Sequence, residues 1–187
     1  MDRETIVHQM KTSMFGQRYA GSTMANTVLN PEHSQKVLDW LKECKNFLLL
    51  MGKPGCGKTY VCSAIMDYCY GKVSDVYAMR EGELFERLRR TMDLKGDYRQ
   101  EIEYQLDHGL FILDDIGSSG EGQTGWRKEV LFEAIALRYE SQKPTVFSTN
   151  YDRSDIKSKL GERAYSRLFA SENTIIDMFT YPDLRIS

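Results

Sequence analysis

The apolar run Phe47-Leu48-Leu49-Leu50-Met51 passes directly into Gly52-Lys53-Pro54-Gly55-Cys56-Gly57-Lys58-Thr59, and this junction constrains the chain more than any other stretch. A short, unbroken apolar run ending at glycine reads as a strand buried on both faces. The glycines after it let the backbone turn tightly and aim successive N–H groups into one concavity. A helix predicted from Thr59 to about Tyr70 adds its partial positive charge at the same point. Strand, glycine turn and helix in that order build a cradle for polyphosphate. Gly52 to Thr59 would wrap it, with Tyr60 just inside the helix. Lys58 would reach the β and γ oxygens, and Thr59 would offer a hydroxyl to Mg²⁺. The implied ligand is a nucleoside triphosphate with its magnesium ion.

The rest of the chain repeats the alternation. Asn30 before Pro31 reads as a helix cap, and Val37, Leu38, Leu41 and Cys44 follow at helical spacing. After the loop, strands are predicted at about 75–79, at Leu110–Leu113, at Thr145–Thr149 and at Thr174–Phe179. Helices are predicted at 81–92, 97–107, a long stretch ending near Ser141, and 154–170, with a Gly/Ser loop at Gly117–Gly125. Residues 1 to about 29 are weakly patterned and read as a short arm with no more than one helical turn. Five strands alternating with helices imply an α/β fold with a parallel, doubly wound sheet that binds ligands at its carboxyl edge.

Further candidates fall on that edge. Asp114 and Asp115 end a buried strand; Asp114 is expected to hold Mg²⁺ through its water shell, and Asp115 to polarise an attacking water. Asn150 ends the next strand, where a polar tip can contact the γ-phosphate or the water. Arg163 and Arg167, four residues apart, share a helix face and read either as a solvated basic stripe or as an arginine finger for a neighbouring subunit. Arg87, Arg89 and Arg90 sit at i,i+4 spacing from Glu83, Asp93 and Glu86, so a neutralised, solvated face is favoured over a DNA-binding one.

Composition narrows the class. The 187 residues are 41% hydrophobic and 28% charged, with net charge −2, as in a soluble globular domain without global attraction to nucleic acid or acidic membranes. No apolar run is long enough to cross a bilayer, and the N-terminal residues lack the plan of a secretion signal, so a cytoplasmic location and no membrane partner are expected. Cys44, Cys56, Cys62 and Cys69 show no paired metal-ligand spacing.

Taken together, these motifs resemble the AAA+ ATPases, and within them the DnaC-type replicative helicase loaders and IstB-like transposition helpers. The resemblance covers about residues 18–186. It is carried by Gly52–Thr59, Leu113-Asp114-Asp115-Ile116-Gly117, Leu137-Arg138-Tyr139, Ser148-Thr149-Asn150 and Gly161-Glu162-Arg163-Ala164-Tyr165-Ser166-Arg167-Leu168. The last segment is similar to the loaders' arginine-finger box, with Arg167 the better match. Arg18-Tyr19 resembles the family's entry into the core beside the adenine. Gly82–Arg90 occupies the place of the extra helical element that faces DNA in relatives.

The resemblance implies a P-loop NTPase domain over 18–187 without a C-terminal lid, preceded by a short arm over 1–17 that could dock a partner. A full-sized partner domain ahead of the core is not expected. It further implies an ATPase using ATP and Mg²⁺ that self-associates when ATP is bound. The implied partners are a replicative DNA helicase and single-stranded DNA. An IstB-like transposition helper, a P-loop kinase and a nucleotide-switched binding module remain as alternatives.

Overall fold

A computed structural model describes residues 1–118 and 125–186; residues 119–124, most of the predicted Gly/Ser loop, lie outside the described residues. The sheet contains β1 (Phe47–Met51), β2 (Val76–Arg80), β3 (Leu110–Ile116), β4 (Thr145–Thr149) and β5 (Thr174–Asp177). Their order is β2-β3-β4-β1-β5, and every neighbouring pair is parallel. The sequence-predicted α/β class holds.

Because side chains alternate along a strand, β1 sends Phe47, Leu49 and Met51 to one face and Leu48 and Leu50 to the other. On the first face the core is closed by α4 (Glu81–Asp93), α5 (Tyr98–Leu106), α6 (Gly125–Glu140) and α8 (Glu162–Leu168). On the second it is closed by α1 (Arg3–Phe15), α2 (Pro31–Glu43) and α3 (Lys58–Cys69). Covering both faces is what a parallel sheet of near-continuous apolar strands requires. The Asn30 side chain accepts the His33 N–H at 2.8 Å with Pro31 at the first helical position, as the capping pattern predicts.

Three expectations are corrected. The first residues form a 13-residue helix, α1, rather than one turn, because Asp2 caps it and Val7 and Phe15 are buried in the fold. β3 does not stop at Leu113 but continues to Ile116; its register with β4 slips between Leu113 and Ile116, where Asp115 takes a left-handed φ of 63°. The helix predicted over 154–170 is broken: α7 (Arg153–Asp155) runs into a π-helical turn at Ile156–Leu160, and α8 begins only after Gly161 at φ 95°. Gly161 interrupts an apolar spacing that otherwise reads as one helix.

Arg138 shows how the far edge is held. Its guanidinium is 2% exposed and donates to Thr145 Oγ1 at 2.7 Å and to the backbone carbonyls of Leu106, His108 and Pro144. Burial pushes its pKa down to about 10, with Asp107 and Asp75 opposing the shift. One side chain thereby ties α6 to the residues entering β3 and β4.

Candidate functional site

The phosphate loop leaves β1 at Gly52 and enters α3 at Lys58. Gly55 and Gly57 adopt φ of 84° and 100°, a region strained for residues with a Cβ. The Lys58 ammonium is nearly buried, at 7% exposure. It donates to Gly52 O at 2.6 Å, to Lys53 O at 3.0 Å and to Asn150 Oδ1 at 2.8 Å. Among the described residues no carboxylate forms an ion pair with it. A nearly buried cation with no direct ion pair among the described residues, at the entrance of a helix, suits an incoming anion.

β4 lies between β1 and β3, so its tip stands between the loop and the acidic strand end. Asn150 uses both ends of its amide: it accepts from Lys58 and donates through Nδ2 to Asp115 Oδ1 at 2.8 Å. Ser148, one turn of the pleat earlier, donates to Asp114 Oδ1 and accepts the Asp115 backbone N–H at 2.8 Å. Thr59 donates to Asp114 Oδ2 at 2.9 Å, which brings together a hydroxyl and a carboxylate, the hard oxygen ligands magnesium prefers. Asp114 is 2% exposed, and the buried Cys62 thiol approaches it at 3.8 Å; burial and that carboxylate push the thiol well above its ordinary range. For Asp115, burial and the Asp114 charge raise the pKa, while Lys58, Arg80 and the Asn150 hydrogen bond oppose them.

A cleft of about 220 Å³ opens over this network. It is lined by Arg18, Tyr19, Pro54, Gly55, Gly57, Lys58, Thr59 and Tyr60, by Asp115, Ser148 and Asn150, and by Leu184 and Arg185. Lys53 is exposed beside it, and Cys56 is fully buried under the loop with its sulfur 3.8 Å from Lys58 Nζ. Gly52 is buried where a Cβ would meet the Cys56 sulfur at 2.7 Å.

Arg163 and Arg167 are not among the described residues lining the cleft. Both stack on the Phe132 ring, at 4.2 and 5.1 Å. Arg167 also approaches Tyr139, pairs with Glu140 at 3.6 Å and donates to Arg163 O, leaving its Nε buried without a partner. On α4, Arg87 pairs with Glu83 at 2.6 Å and Arg90 with Glu86, as the spacing predicts, and Arg87 is further tied to Gln105 and Tyr77. No Arg89–Asp93 pair occurs among the described ion pairs.

Sequence reasoning assigned no role to Ser148, Arg80, Glu81, Leu184 or Arg185. Ser148 carried little signal, since Thr145 and Thr149 put further hydroxyls in the same strand. Glu81, fully buried and accepting the Gly117 N–H at 2.8 Å, orders the backbone after β3, and Arg80 pairs in register with Asp114. Leu184 and Arg185 had none, because no periodicity places a segment after the last strand over a loop more than a hundred residues earlier.

No helix among the described residues is long and apolar enough to cross a membrane. Over 122 residues the chain is 26% identical to the replicative helicase loader DnaC of Buchnera aphidicola subsp. Acyrthosiphon pisum, covering 64% of this chain and 49% of that protein. Over 129 residues it is 30% identical to the replicative helicase loader DnaI of Bacillus subtilis strain 168, covering 66% and 40%. The chain thus spans about half the length, or less, of these curated relatives. The crystal structure of the DnaC helicase loader shares the fold, with a TM-score of 0.68 at 24% identity over 86% of this chain and 99% of that one. The family described as IstB-like ATP binding protein matches residues 25–168, which takes in everything from α2 to the end of α8. The chain therefore belongs to the IstB-like ATP-binding proteins and has the AAA+ P-loop fold.

Proposed function

We propose that this chain is a Mg²⁺-dependent ATPase that self-associates when ATP is bound and acts on a replicative DNA helicase. The observation that carries the ATPase reading is Asn150, whose amide joins the cation facing the phosphates to the carboxylate facing the water. Lys58 and the loop amides grip the triphosphate, and Arg18, Tyr19 and Tyr60 border the nucleoside end of the cleft. Thr59 and Asp114 are the residues that would hold Mg²⁺, which when bound neutralises charge on the β and γ oxygens. Asp115 accepts a hydrogen bond from the attacking water, and Asn150 fixes its orientation.

A further cation for the γ-phosphate is proposed to come from a neighbouring subunit. Arg167 lies folded back on Phe132, Tyr139 and Glu140 of its own subunit and does not line its own cleft, and its proposed target is the cleft of a neighbour. Arg163 beside it borders the same surface. An arginine finger is worth about 10³–10⁵ in rate in related phosphoryl transfer. ATPase activity should therefore rise more than linearly with protein concentration. Arg167→Ala should abolish that rise while leaving ATP affinity unchanged; full turnover by the dilute variant would remove the assignment.

The helicase as partner is supported by the names of the curated relatives, and the exposed side of α1 within residues 1–17 is the segment proposed to dock it. Single-stranded DNA is proposed as a further ligand of the assembled form at α4, where Arg89 lies outside the described ion pairs. The family match favours a second reading, an IstB-like transposition helper. Pull-down with ATP analogue against a replicative helicase and against a transposase separates them: capture of the transposase alone would replace the first reading.

A further inference from the structure

The last turn of α1 leads at Gly16 into a short turn that borders the cleft. Gly16 takes a φ of 97°. Gln17–Tyr19 then form a single 3₁₀ turn, with the Tyr19 N–H on Gly16 O at 3.0 Å and the Ala20 N–H on Gln17 O at 3.2 Å. Arg18 and Tyr19 line the cleft, while Phe15 before them and Ala20 after them are buried. Two side chains from the flanking helices reach carbonyls of this segment. Ser63, fully buried on α3, donates to Tyr19 O at 3.0 Å, which also accepts the Ser22 hydroxyl at 2.8 Å. Lys11, on α1, donates its ammonium to Ser22 O.

An ammonium is an unfavourable group to place there. Lys11 is 2% exposed, and it stands between Val7 and Phe15 on the buried face of α1. It belongs to none of the described ion pairs, and Asp67 pairs instead with Arg3 at 3.8 Å. Burial pushes the Lys11 pKa below its ordinary 10.5, with Asp67 opposing the shift and Arg3 adding to it. A methionine would fill similar space without desolvating a charge, so packing alone does not account for the lysine. What the ammonium adds is direction: a charge-assisted hydrogen bond to one carbonyl, about twice as strong as a neutral one.

We propose that Lys11 is a positioning residue of the nucleotide site: by fixing Ser22 O it holds the Arg18–Tyr19 turn against α3, at the nucleoside end of the cleft. Lys11 does not line the cleft and acts through the backbone between Tyr19 and Ser22. α1 is thereby a working part of the site as well as a cover for the sheet. The inference rests on the cleft being the nucleotide site with Arg18 and Tyr19 at its nucleoside end.

A ligand with the nucleoside and one without it separate positioning from general support of the fold. Calorimetric titration into the full chain with Mg²⁺ should show Lys11→Met weakening ATP by about fivefold to tenfold, the scale of one lost hydrogen bond. Inorganic triphosphate, which engages the phosphate loop alone, should bind that variant within about twofold of wild type. Lys11→Gln, which keeps a shorter, neutral donor, should weaken ATP less, and it carries the same test should Lys11→Met not fold. Equal weakening of ATP and triphosphate would make Lys11 a general support for α3 and overturn the proposal, as would wild-type ATP affinity in Lys11→Met. A wild-type chain that takes up neither ligand would overturn the reading of the cleft and this inference with it. Lys58→Ala, which should weaken both ligands alike, tests that reading separately.

Discussion

Replacing Asn150 isolates the link between gripping phosphate and activating water. Its amide makes two 2.8 Å hydrogen bonds, each to a charged group, and such bonds are worth about 1.5–3 kcal/mol apiece. Their effects on binding and on turnover differ. Lys58 keeps the carbonyls of Gly52 and Lys53 when Asn150 is truncated, so its ammonium stays in place and ATP affinity should change by less than about threefold. Asp115 loses the described side-chain donor that orients it, and losing one preorganised catalytic donor costs about 10²–10³ in kcat. Asn150→Ala should therefore lower kcat by about a hundredfold at nearly constant Kd, measured by phosphate release and by calorimetry. Asn150→Asp is nearly isosteric yet should do no better. It would set a second carboxylate within hydrogen-bonding reach of Asp115, whose pKa is already raised by burial and by Asp114. Turnover close to wild type in Asn150→Asp would refute the reasoning, because shape would then suffice. A loss of ATP affinity in Asn150→Ala as large as its loss of kcat would refute it too.

Two predictions concern stability. Arg138→Met removes the side-chain donor to Thr145 Oγ1 and to the carbonyls of Leu106, His108 and Pro144, of which Leu106 and Pro144 keep a backbone N–H, and should destabilise the fold by about 3 kcal/mol, a fall of about 6–12 °C in Tm by calorimetry. Burial pushes the Asp75 carboxyl up, but the Gly109 N–H at 2.6 Å and His108 outweigh it and hold the pKa below its ordinary 3.8. A depressed carboxylate stabilises the fold above its unfolded pKa and loses that contribution as pH falls through the folded one. Asp75→Ala should thus cost about 1 kcal/mol at pH 7 in urea titrations, and the gap should narrow once the pH drops below about 4.

Much of the site could be read along the chain. The glycine loop and Asn150 each follow a buried strand and the acidic pair lies in the last residues of another, and apolar runs closed by a polar or glycine residue mark the carboxyl edge of a parallel sheet. Residue by residue, the reading failed where local pattern and packing disagree. The spacing of Ile156, Leu160, Ala164 and Leu168 fits one helix, but Gly161 breaks it, so that Arg167 lies on a separate helix from Ile156. α1 was missed because its buried contacts, Val7, Lys11 and Phe15, fall among polar residues with little amphipathic contrast. Arg163 and Arg167 were rightly paired on one face, yet nothing in their spacing indicates that Phe132, Tyr139 and Glu140 hold them back.

The linear chain by itself determined the ligand class and the architecture, because a glycine turn between strand and helix, and the periods of strand and helix, are set by backbone geometry within a few residues. Tertiary structure alone decided that β4 lies between β1 and β3, so that one amide touches both Lys58 and Asp115. It also decided that Arg167 turns away from its own cleft while Tyr181–Ile186 closes over Gly55. These contacts join residues far apart in sequence. Their partners are selected by strand order and by which surfaces pack, and no local pattern encodes either.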